Sequence, residues 1–336
     1  MRIAVDAMGG DFAPSALVEG SVRAARELAQ VEKLFLVGDE KAIKKELARL
    51  GDIPPKIEIR HCTEVVSMTE SPATAVRRKK DSSISRSVDL VKRGEADALF
   101  SAGSTGAQVA ASQLKLRNLE GVERPAIAAV IPSPVKPFVL IDAGANPDCT
   151  PKMLLQFAVM GAVYAKEIMG CKGEPGIGLM SNGEEDEKGN ALTKETFPLL
   201  KKSELNFLGN IEGHDLFEGE VDVVLCDGFV GNVILKTCEN VAHAMKVWMV
   251  QSFTATPFRK IGALILSGAA KELKKRIDPS AHGGMPLLGV NGVSIIGHGG
   301  SNATAVFNGI RYAAEAVRHD INHLIIDGIK KLPVAP

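Results

Sequence analysis

Short apolar runs and longer amphipathic stretches alternate along most of this chain. Runs rich in Val, Ile, Leu and Phe (RIAV near the start, KLFLVG at 33–38, KIEIR at 56–60, ADALFSAG at 96–103) read as buried strands. Between them, residues 14–30 and 39–50 place apolar side chains at helical spacing, the first stretch opened by Pro14, which suits a helix's first turn. Strand and helix in turn predict βαβ crossovers, hence a three-layer α/β/α unit with a mainly parallel sheet.

Midway the pattern changes. AIAAVIP (126–132) and FVLIDAGAN (138–146) are two strand-like runs separated only by SPVKP, whose prolines predict a turn and a local antiparallel hairpin. A long helix is expected from Pro151, then three strand-to-loop transitions at GIGLMSNG, LNFLGNIEG and DVVLCDG, and a last one at VSIIGHGGSN before a helix opening near Asn302. The helical pattern over 230–276 breaks at residues 254–257, where Pro257 and β-branched residues favour two helices with a hinge. The chain is thus expected to be one α/β catalytic unit over residues 1–336, with two intertwined lobes and a protruding helical pair at 238–278 for dimer or membrane contact.

With 336 residues, 45% of them apolar, the chain can bury a substantial core. Forty basic and forty acidic residues cancel, so overall charge argues against nucleic acid and electrostatic recognition must be local. Five cysteines without a CxxC pair, and an N-terminus reading MRIAVDAMGGD where a secretion signal would be apolar, predict a cytoplasmic setting. The longest apolar stretches fall short of the ~20 residues that span a bilayer.

Chemistry concentrates in the loops that follow the strands. VDAMGGD, SAGSTGA, DAGAN, SNGEEDEKGN, CDGFVGN and GHGGSN all combine glycine with Asp, Asn or Ser, and strand ends of an open α/β sheet are expected to converge on a cleft. DVVLCDGFVGNVILKT (222–237) is the most informative: a buried strand drops into a glycine turn and opens a helix, a geometry that can hold an anion. The GxGxxG dinucleotide fingerprint after the first strand and the GxxxxGK[ST] phosphate loop are both missing, which removes support from nicotinamide and ATPase readings.

Taken together, MRIAVDAMGGD, AVRRKKDSS, FSAGSTGA, RPAI, DAGAN, KGNALTKETF, FLGNIEG, CDGFVGNVILKT and GHGGSNA resemble the bacterial phosphate acyltransferases of phospholipid synthesis, almost from end to end. The resemblance implies a fold related to isocitrate and isopropylmalate dehydrogenases and a homodimer; no cofactor and no metal are expected. It further implies transfer of a fatty acyl group from acyl carrier protein to inorganic phosphate. The acyl phosphate would pass to a glycerol-3-phosphate acyltransferase, and the enzyme would sit in the cytoplasm with peripheral contact to the inner face of the membrane.

For that reaction phosphate is already an oxyanion nucleophile, so the protein must bind it, align it and stabilise a tetrahedral oxyanion. Ser104, Thr105 and Gly106, with Gly231 and Asn232, are the expected phosphate cradle, and Gly9, Gly10, Asn146, Gly228 and Ser301 complete the substrate-binding set. Lys194 and Lys236 are expected to neutralise phosphate or oxyanion, Asp6 and Asp227 to orient groups or move protons, and His298 to serve the departing thiolate. Ordinary capping and solvation explain the same residues equally well.

The run Arg77, Arg78, Lys79 and Lys80, on an expected helix, is the candidate surface for the carrier protein. The basic amphipathic stretch 257–277 is the candidate membrane contact. Cys226 reads as a buried small hydrophobe rather than a nucleophile, and neither His319 and His323 nor the acidic run 184–188 predicts a required metal. Two other readings stay open: an NAD-dependent decarboxylating dehydrogenase of the same broad fold, and a noncatalytic carrier-protein or membrane adaptor.

Overall fold

The computed structural model describes residues 1–67, 69–269, 272 and 283–332. Its eleven-stranded sheet is built from β1 (Arg2–Asp6), β2 (Lys33–Gly38), β3 (Ile57–His61), β4 (Ala98–Ser101), β5 (Ala126–Ile131), β6 (Phe138–Ile141), β7 (Ile177–Met180), β8 (Phe207–Ile211), β9 (Val223–Leu225), β10 (Met285–Leu288) and β11 (Val293–Ile296). The spatial order is β3-β2-β1-β4-β11-β10-β5-β6-β9-β7-β8.

Polarity divides this sheet in two. β3, β2, β1, β4 and β11 run parallel to one another, and so do β6, β9, β7 and β8. Three antiparallel pairings in the middle, β11–β10, β10–β5 and β5–β6, leave the two groups pointing in opposite directions. The hairpin expected at SPVKP is therefore present, as one of these three pairings. β10 was hidden in the sequence by Pro286, which ordinarily confines a strand to an edge. Here Met285 and Pro286 pair with β11 while Leu287 and Leu288 pair with β5, so neither neighbour ladder runs the strand's full length.

Helices cover both faces. One layer holds α1 (Ser15–Glu27), α2 (Glu40–Arg49), α6 (Pro151–Glu167), α7 (Ala191–Lys201), α10 (Ala303–Arg318) and α11 (Ile321–Lys330). The other holds α3 (Pro72–Arg78), α4 (Ser83–Lys92), α5 (Thr105–Lys115) and the start of α8 (Gly228–Thr254). Alternation along each strand sorts the side chains: Ile3, Val5, Leu34 and Leu36 enter the first core, Ala4, Phe35 and Val37 the second.

After α8 comes α9 (Pro257–Ile265), opened by Thr256, whose Oγ1 accepts the Arg259 N–H at 3.3 Å. The break thus falls where Pro257 placed it. Only Gly228, Gly231 and Leu235 of the 27-residue α8 are buried, so most of its length, about 40 Å in all, stands away from the sheet. Trp248, Phe253, Phe258, Leu264 and Ile265 lie exposed along α8 and α9. The rest of the 257–277 stretch reaches residues outside those described. Among the described residues no helix is long and apolar enough to cross a membrane.

Candidate functional site

At the C-terminal ends of β1, β4 and β11 three glycine loops close on one another. Gly9 packs where an added Cβ would lie 2.7 Å from the Gly103 nitrogen. Gly10, at φ +99°, faces the Gly299 carbonyl, which also accepts the Asp11 N–H at 2.8 Å. Beneath them Asp6 is buried and accepts from the Ser101 hydroxyl at 2.7 Å and the Met8 N–H at 3.2 Å. Burial raises its pKa above the ordinary carboxylate value, against the pull of the Ser83 and Ser101 hydroxyls.

α5 begins at this edge. Ser104 caps it, its Oγ accepting the Ala107 N–H at 3.4 Å and its carbonyl the Gln108 N–H at 3.0 Å. The N–H groups of Thr105 and Gly106 meet no acceptor among the described residues. Two free donors at the positive end of a helix, on half-exposed residues, are the chemistry that binds an oxyanion. The N-terminus of α10 opens at the same edge, capped by Asn302. Ser301 is buried, and its hydroxyl donates to the His298 carbonyl at 2.6 Å, which shapes the turn. His298 is exposed, its Nδ1 accepting the Gly300 N–H at 3.1 Å.

The loops after β6, β7 and β9 lie at the opposite edge of the sheet, because their strands run the other way. Their hub is a residue the sequence had not singled out. Asp142 is fully buried and accepts N–H groups from Ile127, Gly144 and Ala145 on Oδ1, and from the Asn146 backbone and side chain on Oδ2, all at 2.7–3.1 Å. Burial pushes this carboxyl up, while the donors oppose the shift. The visible signal was an Asp closing a buried strand with an Asn four residues on.

The turn that opens α8 differs from its sequence reading. The Gly228 N–H donates to the Asn146 carbonyl at 2.8 Å, Val230 to the Asp227 carboxylate at 2.9 Å and Gly231 to the Asp227 carbonyl at 2.9 Å. Gly228 and Gly231 pack closely on the β6 loop and Asp227 caps the helix, while the Phe229 N–H meets no acceptor among the described residues. The Asn146 amide bridges the Pro125 carbonyl at 2.7 Å and the Asp142 carboxylate at 2.9 Å. Sequence displays N–H groups without their acceptors, which is why the two turns looked alike.

Asn232, Lys236 and Lys194 are exposed at this second edge. Lys236 pairs with Glu239 at 2.7 Å; Asn232 and Lys194 have no side-chain partner among the described residues. The six loops therefore form two groups in one chain, and the expected cradle joining Ser104–Gly106 to Gly231–Asn232 is not assembled within it. Of the basic run, Arg77 and Arg78 end α3, whereas Lys79 is drawn to Glu70 at 2.6 Å and the Val65 carbonyl at 2.8 Å. Cys226 is buried with its thiol pKa raised well above normal, and His319 and His323 turn to separate partners, Glu167 and Asp320.

A mixed α/β chain with a large, mostly parallel sheet falls among the phosphotransacylase-like folds. A phosphotransacetylase from Streptococcus pyogenes shares it over 95% of this chain and 94% of its own (TM-score 0.62, 17% identity). So does a branched-chain phosphotransacylase from Enterococcus faecalis V583, over 95% and 99% (TM-score 0.59, 16% identity). The sequence model of the family described as "Fatty acid synthesis protein" matches residues 1–324. Proteins named phosphate acyltransferase match at 52% identity in Desulfitobacterium hafniense, over 98% of this chain and 97% of the relative, and at 48% in Akkermansia muciniphila, over 100% and 98%. The chain belongs to this fatty acid synthesis family, among its phosphate acyltransferases, and is an enzyme of acyl transfer to phosphate.

Proposed function

We propose that the enzyme takes its fatty acyl group from a carrier-protein thioester and that phosphate binds at the edge formed by β1, β4 and β11. The observation that carries the placement is the pair of unengaged N–H groups on Thr105 and Gly106, beside the Gly9–Gly10 loop. A phosphate oxygen attacks the thioester carbonyl carbon, the tetrahedral oxyanion collapses, the C–S bond breaks, and the carrier leaves as a thiolate that takes a proton from solvent or from His298. Asp6 holds the loops from beneath.

The sheet's two halves of opposite polarity support reading the chain as two intertwined lobes of the isocitrate/isopropylmalate dehydrogenase type. They also leave Lys194, Asn232 and Lys236 remote from the phosphate edge of their own chain. A homodimer, with the apolar flank of α8 as its seam, lets those residues complete the partner's site; an apolar arm of this size favours a covered state. α9, with Phe258 87% exposed, is suited to peripheral contact with the membrane from the cytoplasmic side, where acyl phosphate is consumed.

The experiment mixes purified protein, acyl-carrier thioester and phosphate, and follows acyl phosphate and free carrier thiol. Equal amounts of both are expected. Turnover with small acyl thioesters but none with the carrier would overturn the donor assignment.

A further inference from the structure

The far end of α5 carries a second basic feature, separate from the phosphate edge. Arg77 on α3, Arg117 just past α5 and Arg124 before β5 line an open depression of about 450 Å³ together with Gln113, Leu114 and Asn118. Among the described residues its lining holds no acidic side chain. All three arginines are exposed, and their guanidinium groups have no hydrogen bond or ion pair among the described residues. The depression at the β3 edge behaves differently: Arg60 pairs with Glu58 and Glu95, Arg86 with Asp81, and Arg93 with Glu95. In a chain with equal numbers of acids and bases, three converging cations left without acids are a selective arrangement.

Arg117 adds an independent observation. It sits at φ +66°, in the left-handed region that follows many helix ends and that glycine occupies at lower energy. Its carbonyl accepts the Asn291 N–H at 3.0 Å, and Leu119 donates to the Gly289 carbonyl at 3.0 Å, so the strained turn is anchored to the β10–β11 connection. An arginine is thus held where backbone energetics favour glycine. Leu114, 49% exposed, lies among the three cations and offers an apolar anchor.

We propose that Arg77, Arg117 and Arg124, with Leu114, are the docking surface for the acidic carrier protein that delivers the acyl thioester. The proposal rests on the donor reading above. Guanidinium groups spread over three elements around one apolar contact fit a helix bearing several carboxylates better than a lone phosphate, which needs only one cradle. Position agrees: α5 is eleven residues long, so Thr105 in its first turn lies about 15 Å from Lys115 at its end. A carrier seated at the far end delivers its thioester along α5, on its flexible prosthetic arm, to the phosphate-binding turn.

The test uses the full-length enzyme with R77E, R117E and R124E, singly and together, and with Arg117→Gly, which removes the guanidinium while relieving the backbone. Each reversal should raise KM for the acyl-carrier substrate about tenfold and weaken its salt dependence. KM for phosphate and turnover of a short acyl-pantetheine thioester should stay at wild-type values. Arg117→Gly should show the same carrier-specific defect with undiminished thermal stability. An unchanged carrier KM, an equal loss with the short thioester, or a defect confined to binding of anionic phospholipid vesicles would each overturn the proposal. A wild-type enzyme that turns over the short thioester and ignores the carrier thioester would instead remove the donor reading itself.

Discussion

Gly231, in the first turn of α8, packs directly on the backbone carbonyl of Asp142, where an added Cβ would overlap the oxygen. The contact joins the β9–α8 turn to the β6 loop, and with it the carboxylate hub that organises the second edge of the sheet.

Gly231→Ala should therefore destabilise the protein, by about 1–3 kcal/mol if the loops yield and by more if they do not. Gly262→Ala is the control, because that glycine on α9 meets nothing within 4 Å among the described residues and alanine there should be neutral or stabilising. Urea midpoints measured side by side decide the matter; equal shifts would remove the packing explanation.

Thr105→Pro deletes one of the two unengaged N–H groups at a helix position that accepts proline. Thermal stability should change little, and KM for phosphate should rise about tenfold or more, the worth of one hydrogen bond to a charged group. Thr105→Ala, which keeps the N–H, separates the amide's contribution from the hydroxyl's.

Lys194 and Asn232 are exposed and, among the described residues, without side-chain partners, so Lys194→Ala and Asn232→Ala should leave stability within about 0.5 kcal/mol of wild type. The loss should fall on kcat, about a hundredfold or more if either group stabilises the oxyanion. Mixing Lys194→Ala chains with Thr105→Pro chains at low phosphate should restore about a quarter of wild-type activity if each site draws on two subunits. No recovery after proven subunit exchange would place both residues in one chain's site.

Asp222 accepts from Lys136 Nζ at 2.7 Å and from the Gly176 N–H at 2.9 Å. Burial raises its pKa, but the lysine and the amide prevail and hold it below the ordinary carboxylate value. A depressed folded pKa means the stabilisation is fully present above the unfolded value of about 3.9 and is lost as pH falls through the folded one. Asp222→Asn should lower stability at neutral pH and flatten its decline below about pH 4. Denaturant midpoints across that range would show it, and parallel curves for the two proteins would refute it.

Much of this molecule was legible along the chain because burial has a period. Ile3 and Val5 face one core and Ala4 the other, so RIAV read as a strand buried on both faces. Pro257 ended one helix and opened the next where expected. β10 was not legible, since Pro286 argues against a central strand and only divided pairing with β11 and β5 admits it.

The amino-acid sequence by itself determined most of the strands, the glycine loops, the helix break at Pro257 and, through resemblance, the family. Only the tertiary structure decided which loops share an edge and which helix end keeps its donors. SAGSTGA and CDGFVGN look equivalent as strings, and both helices bond their third and fourth N–H groups to the cap residue, Ser104 or Asp227, yet among the described residues the first N–H stays open at Thr105 and is taken up at Gly228 by the Asn146 carbonyl. Local sequence sets which groups can donate, whereas strand polarity and long-range packing set whether an acceptor has already reached them.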